Sequence, residues 1–461
     1  MIRASMKQKQ SSTSSPYSAD IRVTGPDEAF LLAEEKLGFR TPIQFCWVLD
    51  DDPGLAAIND YATSLSAGLL HRAIAPRRVP AARRRWTSSM AVPRVIVGAR
   101  IDDGAVGAWA DELLRSADLR PAAGFGWRIH TTTTTRDRRV VVLLVSHVVA
   151  DGEAVVRAVT AAADGQTAVL PAPDTARGVR ALAQDVRDGG RQLRLAGRSL
   201  RVIAQDARVR RRERRLGTSV PGPVRPATPP PTYDPYRTSL AIVDVERTLW
   251  GARAHRYGGT SNTLFTALVC GLARRAAYPV GDQLRVSVAV SKRGGPEDLR
   301  ANASGGVWLH VDETCQSPHD LGDLRDLSRK AFADYAKSGT EIPADMQSVI
   351  RLMPTRILAR ALRSVPSPDV SVSNLGVLDE KARTLAGVPA SSFLMRLMVQ
   401  NAAADGVVMP GPGLSAWFVE YGDTTTLSFV AFASEYYGDT EQFMKLLGAE
   451  LTAWGLDHRI W

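Results

Sequence analysis

The sequence predicts an α/β fold built from two lobes of similar size. Three observations indicate this: strand-like and helix-like segments alternate in both halves, a proline-rich stretch separates the halves, and 461 residues suffice for two or three domains. The composition, 44% hydrophobic and 23% charged, is globular and excludes collagen-like, disordered and disulfide-scaffold classes. We expect a disordered tail over 1–19, an N-terminal lobe over 20–174, a crossover over 175–237 and a C-terminal lobe over 238–461.

The N-terminal lobe mixes both element types. Pro26–Glu35 begins with a proline and two acids before an apolar face, which is typical of a capped helix. A polar hairpin containing five threonines is expected between the strands Trp127–His130 and Val140–Val145. Apolar spacing predicts strands over Pro42–Leu49, Trp127–His130 and Val140–Val145, and helices over Leu55–Leu70 and Gly152–Ala163.

The crossover carries most of the net charge of +10. The segment between Arg177 and Arg215 contains thirteen arginines and four acids. Its net charge is therefore 13 − 4 = +9, and the rest of the chain is nearly neutral. Apolar residues mostly a heptad apart predict one or two amphipathic helices with a charged outer face. Seven prolines in Pro221–Pro235 predict a linker.

The C-terminal lobe repeats the mixture of elements. A strand of Val-x-Val-x-Val character at Leu284–Val290 and a long apolar helix at Ser261–Ala277 are its clearest segments. The other predicted elements are strands over Leu240–Val245, Val370–Ser373 and Leu427–Phe432, and helices over Ser317–Ala336 and Thr440–Trp454.

The cysteines predict neither a disulfide framework nor a zinc site. Cys46, Cys270 and Cys315 are odd in number, far apart and without a C-x-x-C pair, so a reducing cytoplasm is the expected compartment. The longest apolar run, Val140–Val145, is far shorter than the roughly 20 residues that span a bilayer. The N-terminus lacks the hydrophobic core of a secretory signal.

The strongest local signal follows the apolar strand: Ser146-His147-Val148-Val149-Ala150-Asp151-Gly152. In α/β folds, strand ends meet ligand crevices, so His147 is a candidate reactive group there. Considered alone, the segment has a plainer interpretation, in which His147 is a core histidine and Asp151 a helix N-cap.

The segment resembles the His-His-x-x-x-Asp-Gly motif of the coenzyme-A-dependent acyltransferase superfamily. That superfamily includes peptide-synthetase condensation domains, chloramphenicol acetyltransferase and the wax ester synthase/diacylglycerol acyltransferases. Four further patches look like wax ester synthase segments and occur in the same order. These are Gly25–Leu32, Thr260–Ala267, Val288–Arg293 and Ser371–Gly376.

The resemblance implies two chloramphenicol-acetyltransferase-like lobes that form a V-shaped pseudo-dimer around a central tunnel. It makes His147 the catalytic histidine facing that tunnel, and Asp151 a structural aspartate paired with Arg293. Gly152 would keep the turn free of a side chain that obstructs the channel. From the second lobe, Ser373 and Asn374 would approach as oxyanion or substrate-channel groups.

The implied activity is acyl transfer from a coenzyme A or carrier-protein thioester to a hydroxyl or amine, with no metal or redox cofactor. An imidazole is well suited to take the proton of the attacking group, and a nearby amide, hydroxyl or N–H can stabilise the oxyanion. No nucleophile elbow, zinc spacing, P-loop or G-x-G-x-x-G suggests a competing chemistry.

One position departs from the motif, because Ser146 stands where the family has its first histidine. That position mainly supports the loop, so the resemblance still implies activity. Two rival functions stay open: a non-catalytic condensation-like binding domain, and an enzyme of the same fold that cyclises, epimerises or eliminates.

The arginine segment allows several interpretations. The plainest is a solvated helix face. The functional ones are docking of an acidic acyl carrier protein, of coenzyme A phosphates or of an anionic membrane surface. Nucleic acid is not an expected partner, since no nucleic-acid-binding pattern accompanies the charge. The densest cluster, where docking is expected, contains Arg211, Arg212, Arg214 and Arg215.

Overall fold

The computed structural model describes residues 21–91, 94–168, 170, 172, 178–215, 233–295, 298–312, 319–338, 344–362, 367–401 and 411–461. The predicted tail, most of the proline-rich linker and Cys315 lie outside these residues. None of the described helices combines the length and the apolarity needed to cross a bilayer.

Strands alternate with helices throughout the described chain. The helices are α1 (Gly25–Leu37), α2 (Gly54–Ser66), α3 (Val106–Arg115), α4 (Gly152–Ala163), α5 (Gly178–Arg215), α6 (Arg247–Arg256), α7 (Ser261–Arg275), α8 (Gly322–Ser338), α9 (Ala344–Leu352), α10 (Thr355–Leu362), α11 (Glu380–Arg383), α12 (Ser434–Tyr437) and α13 (Thr440–Ala453). The strands are β1 (Phe39–Arg40), β2 (Pro42–Leu49), β3 (Arg72–Ala75), β4 (Arg85–Ser88), β5 (Val95–Val97), β6 (Trp127–Thr133), β7 (Arg139–Ser146), β8 (Ser239–Glu246), β9 (Leu284–Ser291), β10 (Ser304–Val311), β11 (Val370–Val377), β12 (Thr384–Leu385), β13 (Val388–Pro389), β14 (Ser392–Leu397), β15 (Gln400–Asn401), β16 (Leu414–Tyr421), β17 (Thr424–Ala431) and β18 (His458–Ile460).

Two sheets organise the molecule. The first has five strands in the order β14-β2-β7-β6-β5, and only the β5–β6 pair is parallel. The second has seven strands in the order β10-β9-β11-β16-β17-β8-β18, in which β11 runs parallel to both of its neighbours. Three two-stranded ladders, β1-β15, β3-β4 and β12-β13, complete the pairing of the named strands.

Strand β8 of the second sheet is buried on both faces. Along β8, Ala241, Val243 and Val245 belong to a core shared with α7 and α13, whereas Leu240 and Ile242 belong to the core of the first sheet. Successive side chains of a strand point to opposite faces, so this alternation assigns each face to a different core. The near-continuous apolar sequence of the strand follows from this double burial.

The predicted elements are present with shifted ends. The predicted helix over Leu55–Leu70 ends at Ser66, and the crossover forms one helix, α5, rather than two. Part of the expected threonine hairpin is wrong, because Thr131–Thr133 belongs to β6. The Thr131 hydroxyl donates to the carbonyl oxygen of Val140 at 2.9 Å, so this polar side chain has a hydrogen-bond partner inside the sheet.

The expected division into lobes at residue 238 is wrong in one respect. Strand β14 lies far into the second half of the chain, yet it pairs antiparallel with β2 over six residues and completes the first sheet. Its residues Phe393 and Leu394 are fully buried in the core of the first sheet. The second half of the sequence therefore contributes a strand to the first lobe.

Candidate active site

His147 lies where β7 stops and before α4 begins. Its backbone N–H donates to the Thr41 carbonyl oxygen at 3.0 Å, and the N–H of Val149 donates to the Ser146 carbonyl oxygen at 2.9 Å, closing a tight turn. Ser146 is buried, and its Oγ accepts from the N–H of Val148 at 3.3 Å. The serine that departs from the motif therefore supports the loop from within.

Asp151 and Arg293 form the predicted buried ion pair, which is confirmed. Arg293 Nη2 lies 2.6 Å from Asp151 Oδ1, with side chains only 1% and 6% exposed. Asp151 also caps α4, because its Oδ1 accepts from the N–H of Ala154 at 2.8 Å. N-cap and ion-pair partner are thus the same carboxylate, so the two interpretations of Asp151 in the sequence are compatible.

The segment before β10 wraps around this carboxylate. The N–H of Asp151 donates to the Ala301 carbonyl oxygen at 3.0 Å, while Oδ2 accepts from the N–H of Ala303 at 2.7 Å. Arg293 donates back to the carbonyl oxygens of Arg300 and Ala301 at 2.8 and 3.2 Å. A loop of the second sheet is thereby bonded into the motif loop of the first.

Asn302 sits at the centre of this loop and contacts the histidine. Asn302 Oδ1 lies 2.8 Å from His147 Nδ1, and Asn302 Nδ2 donates to the His147 carbonyl oxygen at 2.9 Å and to Asp27 Oδ1 at 3.1 Å. Because an ionised carboxylate only accepts, the amide must turn its NH₂ group toward Asp27 and its oxygen toward the imidazole. Nδ1 therefore carries the proton, and Nε2 keeps the lone pair.

Asp27 is fixed as firmly as the asparagine it orients. It is fully buried in the first turn of α1, where Oδ2 accepts from the Thr24 N–H at 2.8 Å and from Trp86 Nε1 at 3.3 Å. The N–H of Asn302 adds a bond to Oδ1 at 2.8 Å. Asp27, Asn302 and His147 therefore form a hydrogen-bonded series in which each side chain is held in one orientation by its partners.

The imidazole is stacked on an aromatic ring and largely buried. Its ring lies 3.9 Å from that of Phe30, centre to centre, with an angle of 18° between the planes. Burial lowers the pKa of His147 below its usual value of 6.5, and the negative charge of Asp151 and the hydrogen bond with Asn302 oppose this only in part. At neutral pH the ring is uncharged and able to accept a proton.

The charges around the ring are balanced. Burial alone would raise the pKa of Asp151, but hydrogen bonds from Ala303 and Ala154 and the charge of Arg293 outweigh it, and the pKa is lowered. Burial lowers the pKa of the Arg72 guanidinium to about 10, against the opposing charge of Asp27. Two carboxylates and two guanidinium groups therefore surround the loop.

Gly152 lies against strand β14. A Cβ atom at this position would lie 2.5 Å from Cε of Met395, the flexible end of that side chain. The expected role of Gly152, keeping the turn free of a side chain that obstructs a channel, stays a prediction.

The predicted residues of the second lobe, Ser373 and Asn374, make no hydrogen bond to this cluster in the described part of the chain. Ser373 and Asn374 are on β11, where Asn374 Nδ2 donates to Asn262 Oδ1 at 3.3 Å and Asn374 Oδ1 accepts from the N–H of Gly376 at 2.7 Å. Within the described residues, neither makes a hydrogen bond to His147. The cluster Arg211, Arg212, Arg214 and Arg215 lies in the last turns of α5, and its side chains are outside the described part.

A cavity of about 350 Å³ lies between α1 and strands β9 and β10. Neither His147 nor Phe30 is among the residues that line it, but two lining residues connect it to the site. Ala29 is the chain neighbour of the stacked Phe30, and the Ser304 hydroxyl donates to Asp151 Oδ2 at 3.1 Å. The cavity therefore adjoins the loop that carries His147.

Polar groups line the far wall of the cavity. Lys292 Nζ lies 4.9 Å from the centre of the Tyr335 ring, over its face. A Cβ atom at Gly305 would come within 2.2 Å of the Tyr335 hydroxyl oxygen, so this glycine preserves the space. Among the described residues no group of three or more His, Cys, Asp or Glu side chains could hold a metal ion.

Sequence reasoning missed Asn302, Asp27 and Phe30. Asp27 and Phe30 lie three residues apart in α1 and so share a helix face, a signal that was visible in the sequence. Asn302 gives no such signal, because it stands in the short segment Ala301–Ala303, which has no periodicity. Only the pairing of β9 with β10 brings it to the histidine.

Comparison with solved structures identifies the fold. No protein-family model and no curated protein matches the sequence. The condensation domain of the Monacolin K polyketide synthase MokA matches with a TM-score of 0.55 at 14% identity, covering 94% of this chain and 96% of that one. The first condensation domain of the CDA synthetase matches with a TM-score of 0.55 at 15% identity, over 95% and 97% of the two chains.

An acyltransferase is similar to the same extent. The wax ester synthase/diacylglycerol acyltransferase from Marinobacter aquaeolei VT8 matches with a TM-score of 0.53 at 12% identity, over 94% of this chain and 98% of that one. The chain therefore has the mixed α/β fold of condensation domains and of this acyltransferase, as the motif resemblance implied.

Proposed function

We propose that the protein is an acyltransferase of the condensation type, with His147 as general base. It moves an acyl group from a coenzyme A or carrier-protein thioester to a hydroxyl or amine of a small-molecule or lipid acceptor. The observation that carries the proposal is the imidazole itself: an uncharged ring, with its tautomer set by Asn302 and Asp27, on a loop that is bonded through Ser304 to the wall of a cavity of about 350 Å³. The shared fold supports it.

The proposed reaction needs one proton relay. Nε2 of His147 accepts the proton of the acceptor O–H or N–H while that oxygen or nitrogen bonds to the thioester carbonyl carbon. The C–S bond then breaks, and the imidazolium returns the proton to the departing sulfur, which leaves an ester or amide and a free thiol. Ser373 and Asn374 are the proposed donors to the intermediate oxyanion.

The direct test measures thiol release. Purified protein is incubated with acyl-coenzyme A esters of several chain lengths, or with an acylated carrier protein, plus hydroxyl and amine acceptors, and products are identified by mass spectrometry. Acceptor-dependent thiol release is the expected result. Thioester binding without thiol release would favour the non-catalytic binding domain, and a rearranged substrate without transfer would favour cyclisation, epimerisation or elimination.

We expect Asn302→Leu to lower kcat by about 10- to 100-fold, because partners that orient a functional imidazole are typically worth that much. KM should change little, since Asn302 is buried and does not line the cavity. Its hydrogen bond raises the pKa of His147, so removing it should also move the acid limb of the kcat profile to lower pH. Asn59→Leu, at an exposed site on α2, is the matched control. A fall in kcat without the pH shift would indicate a merely structural role.

We expect Ala29→Trp to raise KM for the acceptor several-fold, with the folded state intact. Ala29 is exposed on α1 and lines the cavity, so an indole there occupies substrate volume without disturbing a core. Ala56→Trp, at an exposed position on α2, is the control for the added aromatic surface. If acceptor KM is the same for both variants, the cavity does not hold the acceptor.

A further inference from the structure

The long helix α5 packs on the body of the protein through small and polar residues. Asp185 Oδ1 accepts from Arg85 Nη2 at 2.7 Å and from Arg22 Nη1 at 2.8 Å, all three side chains being nearly fully buried. One turn on, Asp188 Oδ1 accepts from Arg83 Nη2 at 2.8 Å. The buried face of the helix contains Ala181, Asp185, Gly189, Gln192, Ala196 and Ser199.

Five large aliphatic side chains of the same helix are exposed beside its buried face. At 100° per residue these five fall within a sector of about 60°, whose centre lies about 90° from the centre of the buried face, and the stripe is about 32 Å long. Leu195 and Val202 lie outside this sector. The five side chains within it are between 41% and 84% exposed, whereas an ordinary surface helix buries such residues. We name this set the apolar stripe: Val179, Leu182, Val186, Leu193 and Leu200.

A band of arginines runs alongside the stripe. All six of its members are exposed, and in the described part of the chain none forms an ion pair with an acid. Between 178 and 202 the acids are Asp185 and Asp188, and both are paired into the body, so the outer side of this segment is purely cationic. The arginine band is Arg180, Arg187, Arg191, Arg194, Arg198 and Arg201.

We propose that this side of α5 docks the protein onto an anionic lipid surface. An apolar stripe beside a cationic band is the pattern of helices that lie in the plane of a membrane interface, where the aliphatic groups enter the acyl boundary and the guanidinium groups meet phosphates. A second copy of the helix would oppose two arginine bands. An acidic protein could pair with the arginine band, but it would leave the straight, 32 Å apolar stripe without an apolar surface to contact. The proposal does not depend on the acyl-transfer function.

The test is co-sedimentation of the full chain with phosphatidylcholine vesicles, with and without phosphatidylglycerol. We expect binding only to the anionic vesicles and weaker binding in high salt. The triple variant Leu182→Ser, Leu193→Ser, Leu200→Ser should bind at least about tenfold more weakly. A second triple, Arg187→Gln, Arg194→Gln, Arg198→Gln, should lose most of the salt-sensitive binding. All substituted positions are exposed, so the melting temperature should not change.

The matched control changes three exposed aliphatic residues outside α5: Leu55→Ser, Val97→Ser and Ile460→Ser. It should bind anionic vesicles like the wild-type protein. Vesicle binding that is absent in the wild type, or that survives loss of the stripe leucines, would overturn the proposal. The proposal would also be overturned if the wild-type protein did not bind vesicles but bound a purified acidic acyl carrier protein through the stripe.

Discussion

Turnover of the His147→Ala variant is expected to fall by about 10²- to 10⁴-fold, roughly 3–5.5 kcal/mol of activation free energy. That is the usual contribution of a side chain that takes a proton in the transition state. The cause lies in the ring and its setting: Asn302 leaves the lone pair on Nε2, and Phe30 keeps the ring in place. The measurement is kcat with the acyl donor and acceptor identified by thiol release.

Two further variants isolate the proton transfer. His147→Asn keeps polar atoms but cannot act as a base, so it should be nearly as slow as His147→Ala. The exposed His255→Asn is the control and should retain wild-type turnover. Wild-type kcat should rise with pH and level off as His147 loses its proton, below the usual value of 6.5, because burial lowers its pKa. Wild-type turnover in both His147 variants would rule out the general base.

Asp151→Ala should lower the free energy of unfolding by about 3–5 kcal/mol, as is typical when one partner of a buried ion pair is removed. The variant removes the nearer carboxylate of the buried Arg293 guanidinium, which keeps only the half-buried Glu153 Oε2 at 3.8 Å from its Nε. It also removes the acceptor for the N–H groups of Ala154 and Ala303. Activity should fall as well, because the same carboxylate holds the loop that carries His147. Denaturant unfolding measures the loss.

A double variant shows how much of this loss is due to the Arg293 charge that stays buried without Asp151. Asp151→Ala with Arg293→Met should be less destabilised than Asp151→Ala alone, since no charge is left buried. Asp326→Ala, which breaks the solvent-exposed pair with Arg329, is the control and should be close to wild type. Equal unfolding midpoints for Asp151→Ala and wild type would contradict the structural role of the ion pair.

The sequence predicted what depends on local pattern or on the family motif. The apolar run of β7, the helix Gly152–Ala163 and the pairing of Asp151 with Arg293 belong to this class. Asn302 could not be predicted, because its role arises only when a loop of the second sheet meets a loop of the first. The pairing of β14 with β2 could not be predicted either, because a buried strand has the same apolar residue pattern in either sheet.

The inverted amphipathicity of α5 shows a related limit. Heptad spacing correctly predicted a helix, but periodicity identifies a stripe without saying whether it faces the protein or the solvent. The buried ion pairs of Asp185 decide that question, and their arginine partners are about a hundred or more residues away in sequence. Distant polar contacts, rather than hydrophobicity, orient this helix.

The position of β14 also determines the order in which the chain matures during synthesis. Strand β2 leaves the ribosome more than 340 residues before the strand that covers its edge, Ser392–Leu397. Until then the nascent first sheet has an open hydrogen-bonding edge, which is a template for aggregation. The first sheet is therefore completed only after Ser392–Leu397 has been made, and a fragment that ends at the crossover would be a poor candidate for independent expression.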